Sequence, residues 1–184
     1  IITFNEEKNI ERCIISAKEV ADDIIIVDSF STDHTEEICL KHNVRFIKHK
    51  FDGHIEQKNW AITQAQSPYI LSLDADERVT PQLRDEILEK LSCPLEFSGF
   101  LFRRLNIFLG KEVKHCGWYE VNNLRLFNKE KVSYDLGLKY LESMKVSGNL
   151  GVMRNDLLHY TCRNLDDYLK RINLLKGESP RIIF

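Results

Sequence analysis

The feature that most constrains this chain is an alternation. Short apolar runs are each followed by polar residues and then by a segment with helical spacing. Ile1–Phe4 reads as a strand. Asn9–Ala21 places Ile10, Cys13, Ile14, Ala17, Val20 and Ala21 at the spacing of one helix face. Ile24–Val27 reads as a second, buried strand. Beyond it, Asp33 and Glu36 suit a capping pair for a helix over Thr35–His42. Val44–Lys48 is a third strand, Glu56–Gln66 a third helix ended by Ser67-Pro68, and Tyr69–Leu73 a fourth strand. Thr80 then stands as N-cap, with Pro81 at the first position of a helix that reaches about Leu91.

Strand–helix alternation predicts an α/β fold with a mostly parallel sheet covered on both faces. Ligands of such sheets bind beyond the carboxyl ends of the strands. The polar residues just after the strands are therefore the candidates: Asn5-Glu6-Glu7, Asp28-Ser29 with Ser31-Thr32-Asp33, and Asp74-Ala75-Asp76-Glu77. The second half reads differently, as mixed or antiparallel structure. Ser98–Arg104 and Asn123–Phe127 look like strands, and Asn106 to Val121 reads as a loop between them. Leu165–Leu175 has helical spacing, capped by Asn164. No internal repeat, linker or low-complexity segment interrupts the chain.

Composition narrows the function classes. A chain of 184 residues suffices for one domain with a core. The net charge of −2 gives no global basic field for nucleic acid. The longest purely aliphatic run is Ile24-Ile25-Ile26-Val27, far from the ~20 residues of a membrane span. Peripheral membrane contact stays compatible with this. Five cysteines, with no CxxC pair, argue against a disulfide framework or zinc knuckle and for reduced thiols in a cytosol. The sequence opens inside an apolar segment and stops soon after a helical pattern, so both ends read as cut.

Asp74 and Asp76 share a side at the end of an apolar strand, since residues i and i+2 point the same way. Two converging carboxylates repel unless a cation lies near them, and oxygen ligands of this kind suit Mg²⁺ or Mn²⁺. Such a cation can hold a departing diphosphate. As a lone motif, the pair equally suits a solvated acidic turn. Asp28 lies at a strand end, where it can meet a base or ribose. Ser31, Thr32 and Asp33 fit a turn and helix cap better.

These elements occur in a fixed order: Thr3-Phe4-Asn5-Glu6-Glu7, Val27-Asp28-Ser29, Gln57-Lys58-Asn59, Leu73-Asp74-Ala75-Asp76-Glu77. The order resembles family 2 glycosyltransferases of the GT-A fold. More narrowly, it is similar to the bacterial lipopolysaccharide core β-glucosyltransferase group. Phe108-Leu109-Gly110-Lys111, Gly117-Trp118-Tyr119, Leu124-Arg125-Leu126-Phe127 and Leu158-His159-Tyr160 extend the likeness to about Asn173. The resemblance implies one GT-A domain, with a nucleotide-sugar-binding half over residues 1–95 and an acceptor-side half over 96–184.

It further implies a nucleotide-sugar donor, a divalent cation, and inverting transfer to a glycan or glycolipid hydroxyl. Relatives work at the cytoplasmic side of the inner membrane. By similarity, Thr3, Asn5 and Glu6 line the nucleotide pocket with Ala75, and Asp28 faces the base. Lys58 lies near the donor phosphates or is an exposed helix lysine. Asp74 reaches the ribose or metal-bound water, and Asp76 binds the metal. His159 either completes the metal site or is structural.

Two departures stand out. Where relatives have Pro-Asp after Trp-Tyr, this chain has Glu120-Val121. Where they have His-Glu, it has Leu141-Glu142. Glu142 ranks first as the base that takes the acceptor proton and Glu120 second. The same departures leave room for a non-catalytic relative that binds nucleotide-sugar or glycan. Arg103, Arg104, Lys111, Lys114, His115 and Arg125 suit either pyrophosphate contact or a solvated strand face. Trp118 and Tyr119 suit either sugar stacking or the core.

Overall fold

The computed structural model describes residues 1–92, 97–115, 117–119, 121–134, 144–162, 164–166 and 168–169. The opening alternation is realised. In order come β1 (Ile2–Thr3), α1 (Ile10–Ala17), β2 (Ile25–Asp28), α2 (Thr35–Lys41), β3 (Arg45–Lys48) and α3 (His54–Thr63). The three strands form a parallel sheet in the order β1-β2-β3. The register sets Thr3 beside Asp28 and Asp28 beside Lys48, so three strand ends lie in one row.

The fourth apolar run behaves differently from its expectation. It forms β4 (Tyr69–Leu71) and joins a second sheet. That sheet also holds β5 (Glu77–Val79), β6 (Gly99–Phe108), β7 (Lys111–Val113), β8 (Val121–Asn128) and β11 (Leu150–Cys162). The order is β4-β8-β6-β11-β5, with β7 on β6. The short strands β9 (Val132–Tyr134) and β10 (Met144–Val146) pair as a separate ribbon. The backbone turns away after Leu71, and Asp74 meets the first sheet through a lone parallel bridge to Ile2. That bridge brings the acidic run to the end of β1. Helix α4 (Pro81–Leu91) follows β5 as expected, with the Thr80 hydroxyl accepting from Leu83 N at 3.1 Å.

Helix α1 serves both sheets because its apolar face is broad. Ile10 and Ile14 pack with Ile26 and Cys39 under the parallel sheet. Cys13 and Ala17 pack with Leu83, Ile87, Phe100, Phe102 and Leu157 under the second. Cys13, Cys39 and Cys162 are buried reduced thiols. Burial pushes Cys39 up to about 12. Cys93 and Cys116 lie outside the described residues.

Three sequence expectations need correction. Asp33 and Glu36 do not act as a pair. Asp33 Oδ1 accepts from Thr35 N at 3.0 Å, whereas Glu36 pairs with Lys48 at 2.7 Å. The stretch from Asn106 is not all loop, because β6 continues to Phe108 and turns tightly into β7. Leu109 and Gly110 both have positive φ, 50° and 78°, which matches the twist of a two-residue hairpin. The long strand β11 escaped notice because a register shift between Val152 and Asp156 breaks its alternation. The expected helix from Leu165 falls mostly outside the described residues. Among the described residues, no helix is long and apolar enough to cross a membrane.

The irregularity in β11 is held by a buried acid on α4. Glu86 accepts from Arg154 N at 2.9 Å, Asn155 N at 3.0 Å and Asn155 Nδ2 at 2.8 Å. Burial acts to raise this carboxyl, and the converging N–H groups more than offset that and lower it. Glu86→Ala strands these donors, so it should destabilise the fold by about 2–4 kcal/mol. Urea unfolding checks this, as a lower midpoint at unchanged slope, and Glu86→Gln should fall between.

Candidate active site

Two loops at the carboxyl ends of β1 and β2 are stitched together by short polar side chains. Asn5 N donates to Ser31 Oγ at 2.8 Å, and Asn5 Oδ1 accepts from Thr32 N at 2.8 Å. Glu6 N donates to Thr35 Oγ1 at 2.9 Å, and Glu7 N donates to Asp33 Oδ2 at 3.0 Å. Asn5 and Phe30 adopt φ of 54° and 63°, a region that L-residues rarely enter. Each hydrogen bond therefore helps to over-determine a strained loop. Asp28 is fully buried; its Oδ1 accepts from Ser31 N at 2.8 Å and its Oδ2 from Ser31 Oγ. Beside it, Thr3 Oγ1 is buried without a hydrogen-bond partner.

The acidic run after β4 is sorted by its neighbours. Asp74 Oδ1 lies 3.0 Å from Lys58 Nζ, and Oδ2 lies 2.5 Å from an Arg125 nitrogen. The same nitrogen is 2.6 Å from Glu77 Oε1. Glu77 Oε2 in turn accepts from Asp74 N at 2.9 Å. Burial acts to raise the Asp74 carboxyl, but the Arg125 guanidinium and Lys58 ammonium outweigh it and hold it well below the usual carboxylate range. Ala75 is buried in the cluster with Ile10 and Ile14, so its methyl anchors the run to the core.

Asp76 faces the other way, toward β11. Its Oδ2 is 3.3 Å from His159 Nε2. His159 Nδ1 is 2.5 Å from Asn106 Oδ1, and Asn106 Nδ2 donates to the Trp118 carbonyl. Sheet register explains the meeting, since His159 lies opposite Glu77 on one side and Asn106 on the other.

Of the sequence candidates, Asp76 and His159 are thus brought together, and Asp74 and Lys58 are paired with each other. Lys58 is 4% exposed, which removes the reading as a solvated helix lysine. Arg125 does point away from Leu124 and Leu126, but β8 is an inner strand. Its other face is interior, and Arg125 is 2% exposed rather than solvated. Arg103 lies over the Tyr119 ring, and Tyr119 donates to Asp156 Oδ2 at 2.7 Å. Trp118 is exposed, edge-on to Phe108. Glu120 and Glu142, the two candidate bases, lie outside the described residues. The sequence gives Glu77 no role beyond membership of the acidic run, and places Asn106 only at the start of a loop. An arginine inside the run Leu124–Phe127 was the available signal for a buried acidic partner.

A parallel sheet with stitched loops, joined to a mixed sheet through an acidic strand end, is the architecture of GT-A glycosyltransferases. The family model "Glycosyl transferase family 2" matches residues 1–148, and the chain belongs to that family. It is 33% identical over 179 residues to the lipopolysaccharide core biosynthesis glycosyltransferase LpsC of Rhizobium meliloti, covering 94% of this chain and 66% of that protein. It is 42% identical to an uncharacterized glycosyltransferase of Rickettsia bellii, covering 98% and 65%. The chain thus spans about two thirds of the length of these relatives. Its fold is similar to S. aureus TarS, with TM-score 0.64 and 16% identity, over 96% of this chain and 38% of that one. The form of TarS comprising residues 1–349, solved with UDP-GlcNAc, gives TM-score 0.63 at 16% identity, over 91% and 59%.

Removing Arg125 leaves Asp74 and Glu77 facing each other without their shared cation. Arg125→Leu should cost about 3–5 kcal/mol of stability, and Arg125→Leu/Glu77→Leu should recover part of it. The pH dependence carries a sign. Asp74 titrates lower folded than unfolded, so its contribution is present above its ordinary value of 3.8 and erodes as pH falls below that. Without Arg125, that acid limb should move to higher pH. Urea unfolding of both proteins between pH 3 and 7 reads the shift.

Proposed function

We propose that this chain is the catalytic region of an inverting glycosyltransferase. It moves a sugar from a nucleotide-sugar, a UDP-sugar, to a hydroxyl of a cell-surface glycan or lipid-linked acceptor. Lipopolysaccharide core is the first candidate, by likeness to LpsC. The choice of UDP follows the ligands solved with TarS, UDP and UDP-GlcNAc. A lipid-linked acceptor implies peripheral work at the cytoplasmic face of the inner membrane. Residues 1–95 serve chiefly the donor and 96–184 the acceptor.

The observation that carries this reading is the approach of Asp76 Oδ2 to His159 Nε2, at 3.3 Å, two residues beyond the bridge from Asp74 to Ile2. A carboxylate oxygen suits Mn²⁺ or Mg²⁺, and the added imidazole nitrogen favours Mn²⁺ of the two. Among the described residues no three His, Cys, Asp or Glu side chains are gathered into one metal cluster. Asp76 and His159 are the side chains that would hold the cation, one through oxygen and one through nitrogen. A cation held there would offset negative charge on the departing diphosphate.

The chain's own residues do the rest. Thr3 and Asp28 lie at the strand ends beneath the base and ribose, the buried Asp28 acting through Ser31, on loops made rigid by Asn5 and Glu6. Asp74 meets the ribose, its charge held in place by Lys58 and Arg125. The acceptor hydroxyl attacks the anomeric carbon as the bond to the diphosphate breaks on the opposite face. Its proton passes to a carboxylate, Glu142 first and Glu120 second.

Thermal unfolding with UDP, UDP-glucose and UDP-GlcNAc, each with and without Mn²⁺, tests the donor site. A true ligand at about a hundredfold excess over Kd should raise Tm by roughly 5–10 °C. No response to any UDP species with metal sinks the reading. Asp76→Ala should abolish the metal-dependent part of the shift. Once an acceptor is found, whichever of Glu142→Gln and Glu120→Gln loses about 10²–10⁴ in kcat marks the base. Binding without turnover for every acceptor would favour a non-catalytic relative.

A further inference from the structure

His159 is held from its far side, and the polarity of that hold is fixed. The Trp118 backbone carbonyl can only accept, so the Asn106 amide nitrogen must face it. Flipping the amide would set two acceptor oxygens against each other. With the nitrogen so committed, Asn106 presents Oδ1 to His159 Nδ1 at 2.5 Å. That oxygen can only accept, so Nδ1 must carry a hydrogen. Neutral imidazole then has its lone pair on Nε2, which faces Asp76 Oδ2 at 3.3 Å. Asp76 alone favours the opposite arrangement, because a carboxylate would accept from an Nε2–H. The two neighbours therefore compete for the tautomer. Asn106 is 7% exposed, so water does not replace it easily.

We propose that Asn106 is the positioning residue of this site. It fixes His159 as the Nδ1–H tautomer and so turns Nε2 into an electron-pair donor beside Asp76. The inference deepens the cation reading above and rests on it for its purpose, though not for the tautomer itself. It gives the loop bearing Trp118 a second role, since that backbone carbonyl orients the amide that orients the imidazole. Outer partners of metal-binding histidines act in this way, and their loss typically weakens metal affinity about 10- to 100-fold.

Long-range ¹H–¹⁵N NMR of the histidine rings, at a pH where His159 is neutral, reports the tautomer without any metal. A Mn²⁺ titration followed by electron paramagnetic resonance reports affinity without activity. Wild type should show the Nδ1–H tautomer. Asn106→Leu should shift it toward Nε2–H and weaken Mn²⁺ binding about 10- to 100-fold. Asn106→Asp keeps an acceptor for Nδ1–H and gives up the donor to Trp118. It should retain the tautomer and most of the affinity, whereas a packing role would make it as damaging as leucine. If the leucine variant does not fold, Asn106→Ser supplies a side chain too short to reach Nδ1 and should behave the same way. An Nε2–H tautomer in wild type, or an unchanged tautomer in folded Asn106→Leu or Asn106→Ser, overturns the proposal. A changed tautomer with unchanged Mn²⁺ affinity also overturns it. Wild type that binds no Mn²⁺ overturns the cation reading, and the tautomer then decides on Asn106 separately.

Discussion

The arrangement of the site depends on the Arg125 guanidinium. It sits on an inner strand of the second sheet, almost without solvent, between Asp74 and Glu77. Asp74 is bridged to Ile2 at the end of the parallel sheet. One buried cation thus ties the acidic run of one sheet edge to the core of the other sheet. Taking such charges out of water costs several kcal/mol per ion, and good geometry with further hydrogen bonds offsets this. Here Lys58 adds a second cation to Asp74, and Glu77 accepts from the Asp74 backbone. The network is worth more as a constraint on geometry than as net stability.

That constraint separates the two aspartates. Asp74 is committed to cations of the protein itself. Asp76, two residues on, is turned to β11 and meets His159. Ala75 between them is buried, which pins the backbone so that the flanking carboxylates diverge in role. The β1 and β2 loops are held in a similar spirit. Their left-handed residues, Asn5 and Phe30, persist because side chains from both loops bond across the gap.

Much of the fold was legible because burial leaves periodic traces. The helices α1 to α4 and the strands β1 to β3 follow from spacing and caps. Thr80-Pro81 marked α4 without help from tertiary contacts. The mixed sheet was harder. The strands β5, β7, β9 and β10 have three residues each, too few to show alternation. The register shift between Val152 and Asp156 interrupts the alternation of β11 midway. Asp33 kept its place at the start of α2, but Glu36 found Lys48 instead, since an exposed glutamate takes whichever cation the next strand presents.

The sequence by itself determined the parallel α/β half, the strand-end positions of Thr3 and Asp28, the acidic run that follows the fourth strand, and the family. These follow from local periodicity and from the order of motifs along the chain. Only the tertiary structure decided which acid pairs with which base. Arg125 suited a phosphate contact or a solvated strand face, Lys58 the donor phosphates or an exposed helix face, and Asn106 a loop. Each became an element of the site through a partner between 16 and 53 residues away in sequence. Charge pairing inside a core is set by sheet register and burial, and neither is written in the spacing of a single segment. The acidic motif was therefore readable as a motif, whereas the division of labour between Asp74 and Asp76 depended on the strands that close around them.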